Sequence, residues 1–189
     1  MPRSPQPGRP EHQEPPRRSP RLAALTVAGA LLLTPAAWAV PRPGEALPAF
    51  SAKDLTGAEH KSHELQGQRV LVVAMTDRNG GDAMQRWFDA ADARLGKGRY
   101  ESKALISLKL PFFVSGGAAR GRAKEKVPQE FWEETWLDRD GRMAKVLALP
   151  SSREPFVFVV DAQGRVLASV HGPADSPEAG SIWSALAQP

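Results

Sequence analysis

A chain of 189 residues with 41% hydrophobic content can bury one core, and its 18 Pro and 16 Gly imply substantial irregular structure. The formal net charge of +4 misleads, because the first 39 residues hold five Arg and two Glu and leave 20 basic against 19 acidic residues beyond them. That balance gives no electrostatic reason for a nucleic-acid partner, and the complete lack of Cys excludes disulfides and thiolate nucleophiles anywhere in the chain.

Met1 to Pro20 is rich in Pro and Arg and has no apolar periodicity, so it cannot pack a core. Leu22 to Thr34 (LAALTVAGALLLT) is an apolar run of signal-peptide length, shorter than the roughly 20 residues a spanning helix needs. Pro35 breaks it, and Ala37-Trp38-Ala39 supplies small residues at the −3 and −1 positions of a signal-peptidase site. The order of basic flank, apolar run and cleavage box predicts a signal peptide over 1–39, cleavage after Ala39, and a mature domain over 40–189. Arg17-Arg18 matches a twin-arginine signal only weakly, since Pro20 and Arg21 stand where that signal prefers hydrophobic residues. No Cys follows the apolar run to take a lipid, so no membrane anchor is expected after cleavage. The expected location is the periplasm, a compartment that permits disulfides this chain cannot make.

Pro43 to Leu65 (PGEALPAFSAKDLTGAEHKSHEL) predicts a short strand around Phe50 to Lys53 and a turn at Asp54-Leu55-Thr56-Gly57. The stretch that organises the chain follows, from Arg69 to Gly98. Val70 to Met75 is an apolar, β-branched run that reads as a central strand covered on both faces. Thr76 to Gly81 interrupt it, and Asp82 with Gln85 three residues on reads as an N-cap and capping box. Met84, Trp87, Phe88, Ala91 and Leu95 then recur at helical spacing, with Gly96 or Gly98 to end the helix.

Ser102 to Leu108 predicts a second parallel strand. Pro111 to Val127 holds Phe112, Phe113 and Val114, a flexible Ser115-Gly116-Gly117, and the basic residues Arg120, Arg122, Lys124 and Lys126; the basic run reads as a solvated face. Pro128 suits the first turn of a helix containing Phe131 and Trp132. Thr135-Trp136-Leu137 predicts a strand, Asp138 to Gly141 a turn, and Met143 to Leu149 a helical turn or two. Phe156 to Val160 and Arg165 to His171 predict a hairpin around Asp161-Ala162-Gln163-Gly164. Ser176 as N-cap and Pro177 at the first helical position open a last helix that turns Ile182, Trp183 and Leu186 to the sheet.

This order of elements resembles the thioredoxin-like redoxins from about Pro43 to the C-terminus. The likeness is carried by the Pro-Gly-x-x-x-Pro-x-Phe leader at Pro43 to Phe50, the Gly67-Gln68 dipeptide before the strand, the strand–turn–helix unit, and Asp-x-Asp-Gly-x-x-Ala-x-x-Leu-x-Leu from Asp138 to Leu149. In that family the last motif leads to a cis-proline loop, here Glu154-Pro155. The resemblance implies an α/β three-layer sandwich, with a central mixed sheet flanked by helices and a C-terminal hairpin plus helix. It also sets Asn79 and Asp82 on the two positions of the family's Cys-x-x-Cys, with Gly80 and Gly81 between them. A peroxiredoxin-like alignment, in which Thr precedes the reactive Cys by three, selects Thr76 and Asn79. Neither an amide nor a carboxylate performs thiol–disulfide exchange, so Thr76, Asn79, Gly80, Gly81, Asp82, Glu154 and Pro155 form a degenerate site with no catalytic residue and no implied cofactor.

Under the resemblance Asn79, Asp82 and Glu154 approach one another, a set of oxygens able to hold a hard cation or small polar ligand; the competing reading has Asp82 capping its helix and Glu154 pairing with Arg78 or Arg153. His60 and His63, even joined by His171, read as structural or solvated rather than as metal ligands. Asn79-Gly80-Gly81 before a helix could bind an anion, but Asp82 would repel it. Ser102, Ser107 and Ser115 have no nucleophile elbow, and the five Trp read as core. The expected function is an exported, non-redox binding, scaffold or chaperone-like module whose partner is another periplasmic protein or peptide. The alternatives are a redoxin-family oxidoreductase, or a metal or small-ligand binder using Asp82 and Glu154.

Overall fold

A computed structural model describes residues 40–188; the signal-peptide reading of 1–39 lies outside the described residues. Seven strands form one mixed sheet: β1 (Ser51–Asp54), β2 (Glu59–Lys61), β3 (Val70–Met75), β4 (Glu101–Ser107), β5 (Thr135–Asp138), β6 (Phe156–Val160) and β7 (Val166–His171). Their spatial order is β2-β1-β5-β4-β3-β6-β7. β3, β4 and β5 run parallel, while β6 and β7 on one side and β1 and β2 on the other run antiparallel to their neighbours. Four helices flank the sheet: α1 (Gly81–Leu95), α2 (Gly116–Lys124), α3 (Arg142–Val146) and α4 (Ala179–Ala187). The expected α/β three-layer sandwich with a C-terminal hairpin and helix is the fold observed.

β3 is buried at every position, and the period of two along a strand explains how. Leu71, Val73 and Met75 join a core with Trp87 and Ala91 of α1, Ala119 of α2, and Ile182 and Ala185 of α4. Val70, Val72 and Ala74 join a second core on the other face, with Phe50, Leu65, Trp136, and Met143 and Leu147 at α3. β6 repeats the alternation, Val157 and Val159 facing the first core and Phe156, Phe158 and Val160 the second.

Several boundaries differ from the sequence reading. Asp82 does not cap α1: the Met84 N–H reaches the Gly80 carbonyl at 2.9 Å, so the helix already starts at Gly81 and Asp82 falls inside its first turn. Gln85 likewise makes no capping box, its amide donating instead to Asp89 at 2.8 Å along the exposed face. Pro128 leads only a short 3₁₀ turn over Gln129–Phe131. Helix α4 begins at Ala179, three residues beyond Ser176, whose hydroxyl still accepts the Ala179 N–H at 3.3 Å. The strand β2 and the helix α2 had no counterpart in the sequence reading. α2 is short, its apolar burial rests on Ala119, and the Ser115 hydroxyl caps it by accepting the Ala118 N–H at 3.1 Å.

Trp87 ties the first core to the edge of the sheet. It is fully buried, its ring lies 5.1 Å from that of Trp183, and its Nε1–H donates to the Gly172 carbonyl at 2.9 Å. Trp87→Phe keeps an aromatic ring but leaves that carbonyl without its donor, and we expect a loss of about 1–3 kcal/mol in urea unfolding; an unchanged midpoint would show that the hydrogen bond contributes nothing.

Candidate functional site

The C-terminal end of β3 meets the loop that precedes β6 and the last residue of β7, because β6 and β7 bring their N- and C-terminal ends respectively to that edge. Three side chains tie these segments together. Thr76, buried at the end of β3, donates its hydroxyl to the Pro150 carbonyl at 2.8 Å and accepts the Ser152 N–H at 3.0 Å. The Ser152 hydroxyl accepts the Glu154 N–H at 3.0 Å and lies 2.8 Å from Nε2 of His171. The His171 imidazole stacks on Phe156 with centroids 4.0 Å apart. The loop is launched by Ala148, held at φ 52°, which turns the chain out of α3.

The turn itself is closed by Asp77. Its carboxylate accepts the Asn79 N–H at 2.8 Å and its carbonyl accepts the Gly80 N–H at 3.0 Å. This local Asx geometry brings the chain to helical conformation one residue before Asp82, which is the physical reason that Asp82 is displaced from the cap. Gly80 is buried where turn and loop touch. A Cβ there would lie 3.0 Å from the Arg153 carbonyl and 3.0 Å from Met75 Cγ, so a larger residue fits only if these neighbours give way slightly. Gly81 has open space around it.

Of the residues singled out from sequence, Thr76 bridges turn and loop, Gly80 forms the contact between them, and Asn79 and Asp82 lie exposed on either side of that contact. Asp82 makes no side-chain hydrogen bond or ion pair among the described residues; its place in the first turn puts its charge near the positive end of α1. Glu154 forms no ion pair with Arg78 or Arg153, and its Oε2 is buried without a hydrogen-bond partner. No peptide bond among the described residues is cis, so the Glu154–Pro155 bond is trans where the resemblance implied cis. Pro155 is seated beside the β6–β7 ladder by its carbonyl, which accepts the Gly172 N–H at 3.2 Å. Among the described residues no group of three or more His, Asp or Glu side chains is placed to hold a metal ion. Asp77, Ser152 and His171 complete the network and were not assigned to this site from sequence. Only Asp77 left a signal, standing two residues before Asn79 as an Asx turn requires.

His60 lies elsewhere, on β2, half-buried and held between two carboxylates. Its Nδ1 is 2.7 Å from Glu64 and its Nε2 is 3.0 Å from the buried Asp54, while its ring stacks on Trp136 with centroids 4.9 Å apart. Burial disfavours the imidazolium, but hydrogen bonds to Glu64 and Asp54 outweigh it and raise the His60 pKa above the usual 6.5. Burial also resists ionisation of Asp54, yet His60, the Thr56 hydroxyl and the Gly57 and Ala58 amides hold its carboxyl below the usual 3.8. The His60 hydrogen bond likewise lowers Glu64 below 4.5. The raised histidine contributes stability in full below 6.5 and loses it as pH climbs through its folded value; the lowered carboxyls contribute in full above 4.5 and lose it as pH falls through theirs. We therefore expect the triad's contribution to form a plateau between pH 4.5 and 6.5, seen as a melting-temperature difference between the wild type and His60→Gln that shrinks on both sides; a constant difference from about pH 3 to 9 would contradict it.

A scan against protein-family models finds no match, and no curated protein matches the sequence. Solved structures do match. A protein described as the thiol:disulfide interchange protein DsbE from Chlorobium tepidum is similar with a TM-score of 0.55 at 19% identity, over 77% of this chain and 99% of that one. The C-terminal domain of a thiol-disulfide oxidoreductase from Bacteroides thetaiotaomicron aligns with a TM-score of 0.54 at 15% identity, over 78% and 97%. BsSco, of the Sco family of cytochrome c oxidase assembly proteins, aligns with a TM-score of 0.54 at 12% identity, over 77% and 95%.

The turn geometry can be tested by giving it sulfur. Residues three apart at a helix start have Cα atoms about 5–6 Å apart, within the span of a disulfide. Asn79→Cys with Asp82→Cys is therefore expected to form an intramolecular disulfide on mild oxidation, hiding both thiols from a thiol-reactive dye until reductant is added; two thiols that stay reactive would show that the turn does not hold these positions together. With a mixed seven-stranded sheet, flanking helices and a strand–turn–helix unit at its centre, the chain has the thioredoxin-like fold of these structures, and it carries no Cys.

Proposed function

We propose that the chain is an exported thioredoxin-fold module that binds a partner polypeptide without thiol chemistry. The single observation that carries this reading is an assembled site with no reagent. Thr76, Gly80 and Ser152 hold the turn against the loop, while no Cys exists anywhere in the chain. The names of the structural neighbours describe thiol–disulfide interchange for those proteins, and that chemistry has no nucleophile here. The loop also offers donors to an extended peptide: the amides of exposed Ser151 and Arg153 have no acceptor among the described residues, whereas those of Ser152 and Glu154 are bonded inward. Two surface clefts lie elsewhere, one of about 400 Å³ beside Arg99 and Tyr100 and one of about 240 Å³ beside Arg86 and Asp175. Export to the periplasm is part of the proposal and rests on the basic flank, apolar run and Ala37-Trp38-Ala39 box.

One assay separates this reading from a redox one. Dithiothreitol reduces insulin and its freed B chain precipitates after a lag; a thiol catalyst shortens the lag, and a protein that holds the unfolded chain lengthens it. We expect the equimolar protein to lengthen the lag, and Arg153→Pro, which deletes a loop donor, to diminish that effect. A shortened lag would establish an oxidoreductase, and an unchanged lag would refute polypeptide binding at this surface.

A further inference from the structure

The loop after β4 carries two large apolar side chains that the core does not use. Phe112 is 90% exposed and Phe113 75%, their rings packed edge to face with centroids 5.7 Å apart. They occupy the centre of a turn closed by the Val114 N–H on the Pro111 carbonyl at 3.0 Å, and central residues of a turn face outward. The base of the turn is fixed. Leu110 donates its N–H to the Arg139 carbonyl at 2.9 Å, Arg139 Nη1 donates to the Val114 carbonyl, and Leu108, Leu110 and Val114 pack on the first core. Two phenylalanines on a floppy segment could fold back; here the scaffold holds both rings in water.

Along the chain, the charged residues flanking this tip from Ala104 to Lys124 have one sign: Lys109, Arg120, Arg122 and Lys124, with no acidic residue among them. Lys109 and Arg122 are exposed, and Lys124 lies over the Trp132 ring at 4.2 Å. Asp140, across an isolated bridge from Lys109, is paired with Arg139 at 2.8 Å.

We infer that the Phe112–Phe113 tip docks the domain on an anionic lipid surface, the rings entering the headgroup region while Lys109, Arg122 and Lys124 meet lipid phosphates. A protruding pair of rings needs a partner that deforms around it, and a bilayer interface does so without a preformed pocket. The basic flank supplies the matching attraction to negative headgroups. This contact is independent of the polypeptide-binding surface proposed above.

The lack of cysteine makes the test direct. The full chain carrying Gly117→Cys, exposed beside the tip, takes an environment-sensitive fluorophore, and Gln163→Cys, in the β6–β7 hairpin, serves as the control site. With vesicles of phosphatidylglycerol and phosphatidylcholine in equal parts, the label at position 117 is expected to shift to the blue and the label at 163 to stay unchanged. Phe112→Ser with Phe113→Ser is expected to raise the lipid concentration for half-maximal shift by about tenfold or more. Lys109→Glu with Arg122→Glu, or salt at about 0.5 M, is expected to weaken it as well. Circular dichroism matching the wild type shows that the variants are folded. The proposal is overturned if position 117 gives no shift, if neither double variant changes it, or if pure phosphatidylcholine gives the same shift. It is also overturned if the shift appears without vesicles on raising protein concentration, which would assign the tip to a second copy of the chain, or with an acidic peptide alone, which would assign it to a protein partner.

Discussion

Burial of β3 on both faces is the constraint from which the other features follow. A strand with Leu71, Val73 and Met75 on one side and Val70, Val72 and Ala74 on the other can exist only if two layers cover it. One layer is supplied by α1 and α4, the other by α3 with Phe50 and Leu65 from the leader. A shift of one residue in register would exchange the two sets of side chains, so both cores specify the same pairing of β3 with β4 and β6. That pairing brings Thr76 to the sheet edge opposite Ser152 and His171.

What the sequence made legible follows from periodicity. β3, β6 and the stripe of α1 have uninterrupted apolar patterns and were found in place. β2 was not readable, because Glu59-His60-Lys61 has no apolar residue; its position depends on pairing with β1 and on the stacking of His60 against Trp136. α2 was hidden for a related reason, since two Gly, small Ala residues and basic side chains give almost no stripe and its start is set by the Ser115 cap. The first turn of α1 was misread because Asp82 has a good capping identity, yet Asp77 closes the chain earlier. Local competition between two Asp residues cannot be resolved by identity alone.

The site shows the same division. Asn79, Gly80 and Asp82 were placed by their position between strand and helix, whereas Ser152 and His171 come from loops and strand ends 76 and 95 residues beyond Thr76, a distance that no local pattern spans. Glu154 follows neither reading, the cation site nor the arginine pair: its Oε2 is buried without a hydrogen-bond partner, while its backbone N–H is held by the Ser152 hydroxyl. The network is made of hydroxyls, amides, the Asp77 carboxylate and one imidazole; most of its bonds position backbone, while His171 meets the Ser152 hydroxyl side chain to side chain.

The contact at Gly80 has a longer reach than its size suggests. The Arg153 carbonyl and the Met75 side chain would each stand 3.0 Å from a Cβ at this position, so any side chain larger than hydrogen must push one of them back. Shape at this spot is therefore enforced by crowding, and crowding is indifferent to whether the flanking positions carry a reagent. The same mould can therefore hold an amide and a carboxylate at positions 79 and 82 as readily as another pair, while position 80 between them tolerates little added bulk.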